Sequence, residues 1–167
     1  IWMMLSFGEA VRQYYGNYVN ASGRAQRSAF WWVLLFQLII YGVLAIVIFM
    51  ADGGDDLFDM INSMLDGNID TELGDDFNLG ISGIIAICLM VCFALANFLP
   101  DIMLSIRRFH DLGQTGWLVL VFMILGALPI VGIVADIMNF VWFMFRGTVG
   151  PNKYGPDPLG ADMDIFG

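Results

Sequence analysis

Basic side chains are scarce in this chain of 167 residues, which has seven lysine and arginine residues together and a single histidine. Only 14% of its residues are charged, whereas about a quarter are charged in an average soluble domain. Hydrophobic residues make up 59%. So little positive charge argues against a nucleic-acid partner, and so apolar a composition excludes an ordinary soluble domain. We therefore predict an all-α integral membrane protein.

The residues that catalytic and metal sites require are also few. Two cysteines and one histidine are too few for a metal cluster, and the pair His110 and Asp111 has no positioned nucleophile beside it. A phosphate-cradling glycine motif is absent from the sequence. We therefore predict neither enzyme activity nor a cofactor. Cys88 and Cys92, four positions apart in an apolar run, are predicted to be small hydrophobic residues packed in the helix bundle.

The negative charge is concentrated in one segment. Nine of the sixteen acidic residues lie between Asp52 and Asp76, and residues 52–80 contain no lysine or arginine. The apolar residues from Leu57 to Leu65 follow helical spacing. The sequence therefore predicts an acidic extracytoplasmic loop at residues 52–80 with a short amphipathic helix inside it.

Residues 1–28 are predicted to form an amphipathic segment on the cytoplasmic face. Apolar and aromatic residues recur in it at spacings of three and four, as on one side of a helix. Such a helix either lies in the lipid headgroup layer or packs against the protein's own bundle, and the sequence favours neither place. The segment lacks a basic stretch followed by a compact apolar one, so no cleavable signal peptide is predicted.

Residues 29–51 are predicted to be the first membrane span. Trp31 and Trp32 follow Arg24 and Arg27, an order typical of a membrane entry, with cations outside the lipid and indole rings at its boundary. The rest of the segment carries no charge. As a helix rising about 1.5 Å per residue, it is long enough for a hydrocarbon layer of roughly 30 Å.

Residues 81–104 are predicted to be the second span, with polar residues near its cytoplasmic end. Pro100 removes one backbone donor, which predicts a local kink. Asp101 is predicted to pair with Arg107 or Arg108 at the interface, because an ionised carboxylate left alone in lipid is costly. A transport role for Asp101 is the less favoured alternative.

Residues 117–146 form a long apolar segment that either crosses the membrane once or returns as a hairpin. Each half of a hairpin would be shorter than the roughly 20 residues of a full crossing. Charge nevertheless favours the hairpin, because it keeps all seven basic residues on the cytoplasmic side. We predict a four-span helical bundle with a short C-terminal hairpin, an N-terminal amphipathic interfacial helix and cytoplasmic termini. Three crossings are the alternative.

Two polar residues, Asp136 and Asn139, fall within the predicted fourth span. An acid inside a membrane suggests a functional role by default. A proton relay would need a second buried acid or base at a matching depth, and the sequence offers none. An interhelical hydrogen bond from Asp136 to Asn97 or to a serine of another span is therefore favoured.

Residues 105–116 are a predicted cytoplasmic loop and the densest polar stretch in the second half of the chain. We predict that this loop anchors the topology and is tied to the glycine- and proline-rich tail of residues 147–167. Tyr154 and Asp157 of the tail are predicted to reach towards the paired arginines of the loop, because a carboxylate matches a guanidinium. The candidate interaction residues are Arg24, Arg27, Trp31, Trp32, Arg107, Arg108, His110, Asp111 and Trp117.

Three polar motifs occur in order along the chain. The first is Gly-Arg-Ala-x-Arg-Ser-x-Phe-Trp-Trp at residues 23–32, and the second is Arg-Arg-Phe-His-Asp-x-Gly-x-Thr-Gly-Trp at residues 107–117. The third is Gly-Thr-x-Gly-x-Asn-x-Tyr-Gly-Pro-Asp-Pro at residues 147–158. Together they resemble the signatures of the bacterial family called domain of unknown function 805. The resemblance implies a small multi-span protein of the bacterial inner membrane without a settled activity, in which the acidic segment looks like an insertion.

Three classes of function fit this architecture. The favoured class is a non-catalytic scaffold or accessory subunit of a larger membrane complex, docking through the acidic loop or through lipid-facing tryptophan and methionine side chains. A small transporter or channel using Asp136 is the second. The third is an anionic lipid- or phosphate-binding protein using Arg107 and Arg108, because arginine matches phosphate. The expected partners are membrane lipids and either other membrane-protein subunits or further copies of the chain.

Overall fold

The computed structural model of the protein describes residues 5–51 and 81–160. The predicted acidic loop and its amphipathic helix therefore lie outside the described residues. Within the two described ranges the chain is helical, as predicted, and contains no β-strand. The five helices of these ranges are α1 (Phe7–Gly16), α2 (Arg27–Ala51), α3 (Ile81–Asp111), α4 (Leu118–Gly126) and α5 (Pro129–Met144).

Two of these helices, α2 and α3, are long and apolar enough to cross a membrane. They have 25 and 31 residues, which at about 1.5 Å per residue gives lengths of about 37 and 46 Å. Both lengths exceed the roughly 30 Å of the hydrocarbon layer. Helices α4 and α5 have 9 and 16 residues and reach only about 13 and 24 Å. Four complete crossings therefore stay a prediction.

Helix α3 continues through most of the segment that was predicted to be a loop. Its end is marked by a Schellman motif, in which the Gln114 amide donates to the Phe109 carbonyl at 2.9 Å and the Gly113 amide donates to the His110 carbonyl at 3.1 Å. Gly113 has a φ of 74°, in the left-handed region that favours glycine. The loop prediction was wrong for residues 105–111, because residues 105–112 contain no proline or glycine that would end the helix before Gly113. The charged side chains of the second motif consequently project from a helix.

Helix α1 packs against the helices that follow it. Its start is a capping box in which Ser6 and Glu9 satisfy each other's backbone amides. Tyr14 is buried and belongs to a cluster with Val33 and Leu104. The Trp32 indole N–H donates to the carbonyl oxygen just before α1 at 2.7 Å. Of the two places open to this helix, packing against the protein is the one supported by contacts.

Helices α4 and α5 form a hairpin with two residues between them. The helices pack against each other, and Gly132 permits their close approach, because a Cβ there would lie 2.5 Å from the Gly126 carbonyl oxygen. Further from the turn, the ring centres of Phe122 and Trp142 are 6.2 Å apart. The hairpin thereby directs the C-terminal end of α5 back towards the start of α4.

The chain divides into two compact units, residues 1–36 with 97–167 and residues 37–96. The first unit holds the cluster around Tyr14 and a second buried cluster of Phe109, Val119 and Phe143. The second unit contains an edge-to-face contact between two aromatic rings with centres 5.2 Å apart. Its cysteines, Cys88 and Cys92, are exposed, so the prediction that they pack in the bundle was wrong. A helix that faces lipid gains little by burying such apolar side chains against protein.

Candidate functional site

One carboxylate, that of Asp111, joins two arginines from distant parts of the chain. Its Oδ1 accepts a hydrogen bond from Arg24 Nε at 3.0 Å and lies 2.9 Å from Arg24 Nη2. Its Oδ2 accepts a bond from Arg108 Nη1. The side chains of Arg24, Arg108 and Asp111 are only 2%, 0% and 5% exposed. Because an isolated buried charge is costly, this mutual pairing is what allows all three to be buried.

Arg108 also binds the end of helix α5. Its Nη2 donates to the carbonyl oxygen of Phe143 at 3.0 Å and to that of Phe145, while Nη1 reaches the carbonyl oxygen of Ala25 at 3.4 Å. The last carbonyl groups of a helix lack partners within it and carry partial negative charge, so a guanidinium is well suited to them. Both Nη atoms of Arg108 are thus occupied by groups of the protein. The expectation that Arg108 binds a phosphate was wrong for this reason.

The tail beyond α5 is held by backbone and side-chain contacts to the other two motifs. Arg24 Nη1 donates to the Gly150 carbonyl oxygen at 2.7 Å. The Thr148 amide donates to the Asp111 carbonyl oxygen at 2.8 Å, and Asn152 Nδ2 donates to the His110 carbonyl oxygen at 2.9 Å. Three stretches far apart in sequence are therefore joined at one place.

Asp157 completes what we call the arginine network, which consists of Arg24, Arg108, Asp111 and Asp157. Its Oδ1 lies 3.9 Å from Arg24 Nη2, and its carboxylate accepts bonds from the backbone amides of Gly150 and Leu159, each at 2.9 Å. Partial burial acts to raise the pKa of Asp157, but these two amides and the positive charges of nearby arginines outweigh it and lower that pKa. Asp157 thus pairs with an arginine, as predicted, but with Arg24 instead of the expected residues of the second motif.

The second tail residue with a predicted role, Tyr154, stacks on His110. The two ring centres are 3.8 Å apart and the ring planes differ by 8°. His110 Nδ1 lies 3.2 Å from the Gly23 carbonyl oxygen, and Lys153 Nζ lies 4.9 Å from the centre of the Tyr154 ring. His110 therefore links the first and third motifs, and Tyr154 contacts it instead of an arginine.

Arg107, the neighbour of Arg108, has very different surroundings. Only 7% of its surface is exposed, yet no hydrogen bond or ion pair involves its side chain among residues 5–51 and 81–160. Its Nε is buried without a partner. The side chain lines a cavity of about 160 Å³ together with Gln13, Tyr14 and Gln26, and the Gln26 Oε1 is also buried without a partner. The cavity thus holds one unmatched cation and one unmatched acceptor.

A larger groove of about 880 Å³ lies beside the arginine network. The first turns of α2 form one wall, with Arg27, Trp31 and Trp32. The end of α5 and the residues after it form another, with Met144 and Arg146. Arg27 is exposed, and its only hydrogen bond in the described part of the chain is a long one of 3.4 Å to the Met144 carbonyl oxygen. The groove therefore combines cationic and apolar side chains.

The polar residues predicted inside spans do not form the expected pairs. Asp101 Oδ1 accepts a hydrogen bond from the Tyr14 hydroxyl at 2.7 Å. Neither arginine expected as its partner pairs with it in the described ranges, because Arg108 binds Asp111 and the Arg107 side chain lines a cavity. Asn97 accepts a bond from Tyr15 at 2.9 Å. Asp136 is exposed and makes no hydrogen bond within the described ranges, so its predicted bond to Asn97 was wrong.

Asn139, the other polar residue of α5, has a buried Oδ1 without a partner in the described part of the chain. Trp117 precedes α4, is 75% exposed and lies outside the groove. Sequence reasoning missed Gln26, Thr148 and Asn152. Thr148 and Asn152 occupy defined positions of the third motif, and that motif could have identified them. Gln26 occupies an unspecified position of the first motif, so nothing in the sequence identified it.

Comparisons with known proteins agree with the resemblance of the three motifs. The model of the family described as "Protein of unknown function (DUF805)" matches residues 18–156. The chain is 29% identical over 142 residues to "Inner membrane protein YhaI" of Escherichia coli (strain K12), which covers 85% of this chain and 88% of that protein. It is 30% identical over 142 residues to "Inner membrane protein YhaH" of the same organism, covering 85% and 89%. No solved structure matches the chain.

Proposed function

The chain belongs to the family of proteins of unknown function DUF805, and from that premise we propose that it is a non-catalytic protein of the bacterial inner membrane that binds anionic phospholipid in its groove. The groove is defined by Arg27, Trp31, Trp32, Met144 and Arg146. Two relatives are named inner membrane proteins, and two helices of this chain are long and apolar enough to span a membrane.

The observation that carries the proposal is the composition of the groove walls. Arg27 and Arg146 supply two guanidinium groups, which match the geometry of a phosphodiester. Trp31, Trp32 and Leu35 supply an apolar and aromatic surface, and indole rings favour the boundary between lipid and water. A volume of about 880 Å³ accommodates a headgroup with the first part of an acyl chain, within the usual range for ligand sites.

The topology that supports this location has both termini on the cytoplasmic side. All seven basic residues fall in the first compact unit, none in the second, and such an excess of positive charge is typical of the cytoplasmic side. In the proposed arrangement α2 and α3 cross the bilayer, and the hairpin of α4 and α5 supplies two short crossings. Four crossings keep the groove and the arginine network next to the cytoplasmic leaflet, whose anionic lipids attract cations.

The other two functions have weaker support. An accessory-subunit role stays a prediction, which the composition of the particle purified from native membranes would test. A transport role for Asp136 would need a second polar residue on the exposed face of α5. The nearest polar side chain of this helix, Asn139, has its Oδ1 buried in the protein instead. Lipid binding is therefore the function that the geometry supports best.

The test is lipid binding by the detergent-purified protein, measured by native mass spectrometry with phosphatidylglycerol and phosphatidylcholine. We expect the wild type to retain phosphatidylglycerol preferentially. The double variant Arg27→Gln with Arg146→Gln should lose about thirtyfold in affinity for the anionic lipid, since each of the two cations contributes about 1 kcal/mol near an anionic surface.

The matched control is Arg12→Gln, which removes an exposed arginine of α1 that does not line the groove. It should leave the lipid preference unchanged. Equal retention of both lipids by the wild type, or an equal loss in the control and the double variant, would contradict the proposed function.

A further inference from the structure

Buried charge is unbalanced where the three motifs meet. Three arginines of this region have buried side chains, Arg24, Arg107 and Arg108. The two carboxylates of the arginine network, Asp111 and Asp157, neutralise Arg24 and Arg108. One positive charge therefore remains, and it belongs to Arg107.

A buried guanidinium without a counter-charge is a costly arrangement. Proteins usually pair such a group, because the loss of its hydration is not recovered otherwise. Arg107 is only 7% exposed and its Nε is buried without a partner. In the described ranges its side chain is bonded neither to an acid nor to a carbonyl oxygen. Part of its side chain faces a cavity instead of packed protein atoms. These facts indicate that the counter-charge comes from a molecule that enters the cavity.

The cavity has the size and chemistry for a small oxoanion. Its volume of about 160 Å³ corresponds to about five water-sized groups at roughly 30 Å³ each, which suits the five heavy atoms of a phosphate group and excludes a whole lipid. Arg107 offers the Nε and Nη donors that bind two oxygens at once. The unmatched Gln26 Oε1 can accept a bond from a protonated phosphate oxygen or from a headgroup hydroxyl. Arg107 can therefore bind the negative oxygens of such a ligand, while Gln26 accepts a hydrogen bond from its hydroxyl group.

We infer that the cavity lined by Arg107, Gln13, Tyr14 and Gln26 is a binding site for a phosphate group, with Arg107 as the residue that neutralises it. Arg24 also lines the cavity, but its guanidinium nitrogens are engaged by Asp111, Thr148 and Gly150. The phosphate belongs either to a free inorganic phosphate ion or to the headgroup of a phospholipid. This site is separate from the groove, whose cations are Arg27 and Arg146.

The experiment measures Tm of the purified protein in neutral detergent, in chloride buffer and in inorganic phosphate of equal ionic strength. A parallel arm adds phosphatidylglycerol micelles to chloride buffer. We expect one of the two phosphate sources to raise Tm by about 5 °C, the shift that a ligand near one hundred times its Kd gives a chain of this size. A shift with inorganic phosphate identifies the free ion. A shift with phosphatidylglycerol alone identifies the headgroup if Arg27→Gln with Arg146→Gln retains it and Arg107→Met loses it, since lipid bound in the groove would give the opposite result.

The variant Arg107→Met replaces the guanidinium with an uncharged chain of similar length. It should abolish the phosphate-dependent shift, while its Tm in chloride buffer should equal or exceed that of the wild type, because an unmatched buried charge has been removed. Arg107→Lys should keep part of the shift. The control Arg12→Met, on the exposed face of α1, should keep the whole shift and also leaves the groove intact.

Two results would overturn the inference. One is a Tm in chloride buffer that falls by several degrees in Arg107→Met, because the arginine would then have an internal counter-charge. The other is a wild-type Tm that neither phosphate source raises. Because Arg27→Gln with Arg146→Gln should retain the shift caused by inorganic phosphate, failure of the groove proposal and failure of this one are distinguishable.

Discussion

Arg107 and Arg108 are neighbours in sequence, but the regions around them differ in almost every respect. Arg108 lies in the arginine network, with a carboxylate and three carbonyl oxygens around its guanidinium. The Arg107 side chain lines a cavity and has no bonded partner in the described part of the chain. Successive residues of a helix are rotated by about 100°, so the two side chains leave α3 on different sides. One arginine is therefore committed to the fold, and the other is available to a ligand.

The largest effect is expected from Asp111→Asn, which would leave Arg108, like Arg107, without a carboxylate partner, although Arg108 would keep its bonds to three carbonyl oxygens. The substitution keeps the shape of the side chain but leaves Arg24 and Arg108 buried without their shared counter-charge. We expect the free energy of unfolding to fall by about 3–5 kcal/mol, as when one partner of a buried ion pair is removed. Thermal unfolding in detergent, followed by circular dichroism, measures the change.

The control for this substitution is Asp136→Asn, which makes the same chemical change at an exposed position of α5. It should alter stability by less than about 0.5 kcal/mol. If Asp111→Asn lowers the free energy of unfolding no more than this control does, the network does not hold the three motifs together. Pairing with Asp111 would then not distinguish Arg108 from Arg107 in stability.

Much of this contrast was beyond the reach of the sequence. The three motifs could be predicted to meet, because the distribution of lysine and arginine placed Arg24, Arg108 and Lys153 on one side of a membrane. The partner of each arginine could not be predicted, since residues 105–116 were taken for a loop. In a loop, Arg107 and Arg108 are interchangeable, whereas in a helix their directions are fixed. The apolar runs were sufficient to predict α2 and the first part of α3.

The polar residues of the spans show the same limit. A helical pattern marks the apolar face of α1, but it does not say which acid Tyr14 will meet, and that acid is Asp101. Asp136 was predicted to bond Asn97 because both are polar residues in apolar segments. Depth in a membrane can be estimated from sequence, but the rotation and neighbours of each helix depend on packing. Side-chain pairs between spans are therefore the least predictable part of the site.

Gly147→Ala would disturb the network without touching the cavity of Arg107. A Cβ at residue 147 would overlap the carboxylate of Asp111, so either the carboxylate or the start of the tail must move. We expect a loss of about 1–3 kcal/mol in the free energy of unfolding, the usual cost of overpacking. Gly8→Ala is the control, because nothing lies within 4 Å of a Cβ there, and it should stabilise α1 slightly. Equal effects of the two substitutions would show that the tail adapts to the extra methyl group.

The smallest effect concerns pH, which titrates both carboxylates of the network, Asp111 and Asp157, while Arg107 stays charged. Burial raises the pKa of Asp111, so its carboxylate is protonated before that of Asp157 as pH falls. The effect on the tail belongs to Asp157. The pKa of Asp157 is lower in the folded protein than in an unfolded chain, so the unfolded state binds the proton more readily. The stability that this carboxylate contributes is therefore present above its unfolded pKa and is lost as pH falls through its folded pKa. We expect the docked tail to loosen progressively below about pH 4, near the ordinary value for aspartate.

Hydrogen–deuterium exchange of the tail amides, measured by mass spectrometry at about pH 3 and at neutral pH and corrected for the intrinsic exchange rate at each pH, follows this loosening. The amides of Thr148 and Gly150 report on it, because in the docked tail they donate to the Asp111 carbonyl oxygen and to the Asp157 carboxylate. The variant Asp157→Asn should exchange faster than the wild type at neutral pH and should change less on acidification, since it lacks one of the titrating carboxylates. Its Tm shift with phosphate should persist in part, because Arg107 is unchanged while Pro158, next to the substituted residue, lines the cavity. Loss of both tail docking and the phosphate shift in Asp157→Asn would mean that the two regions act as one.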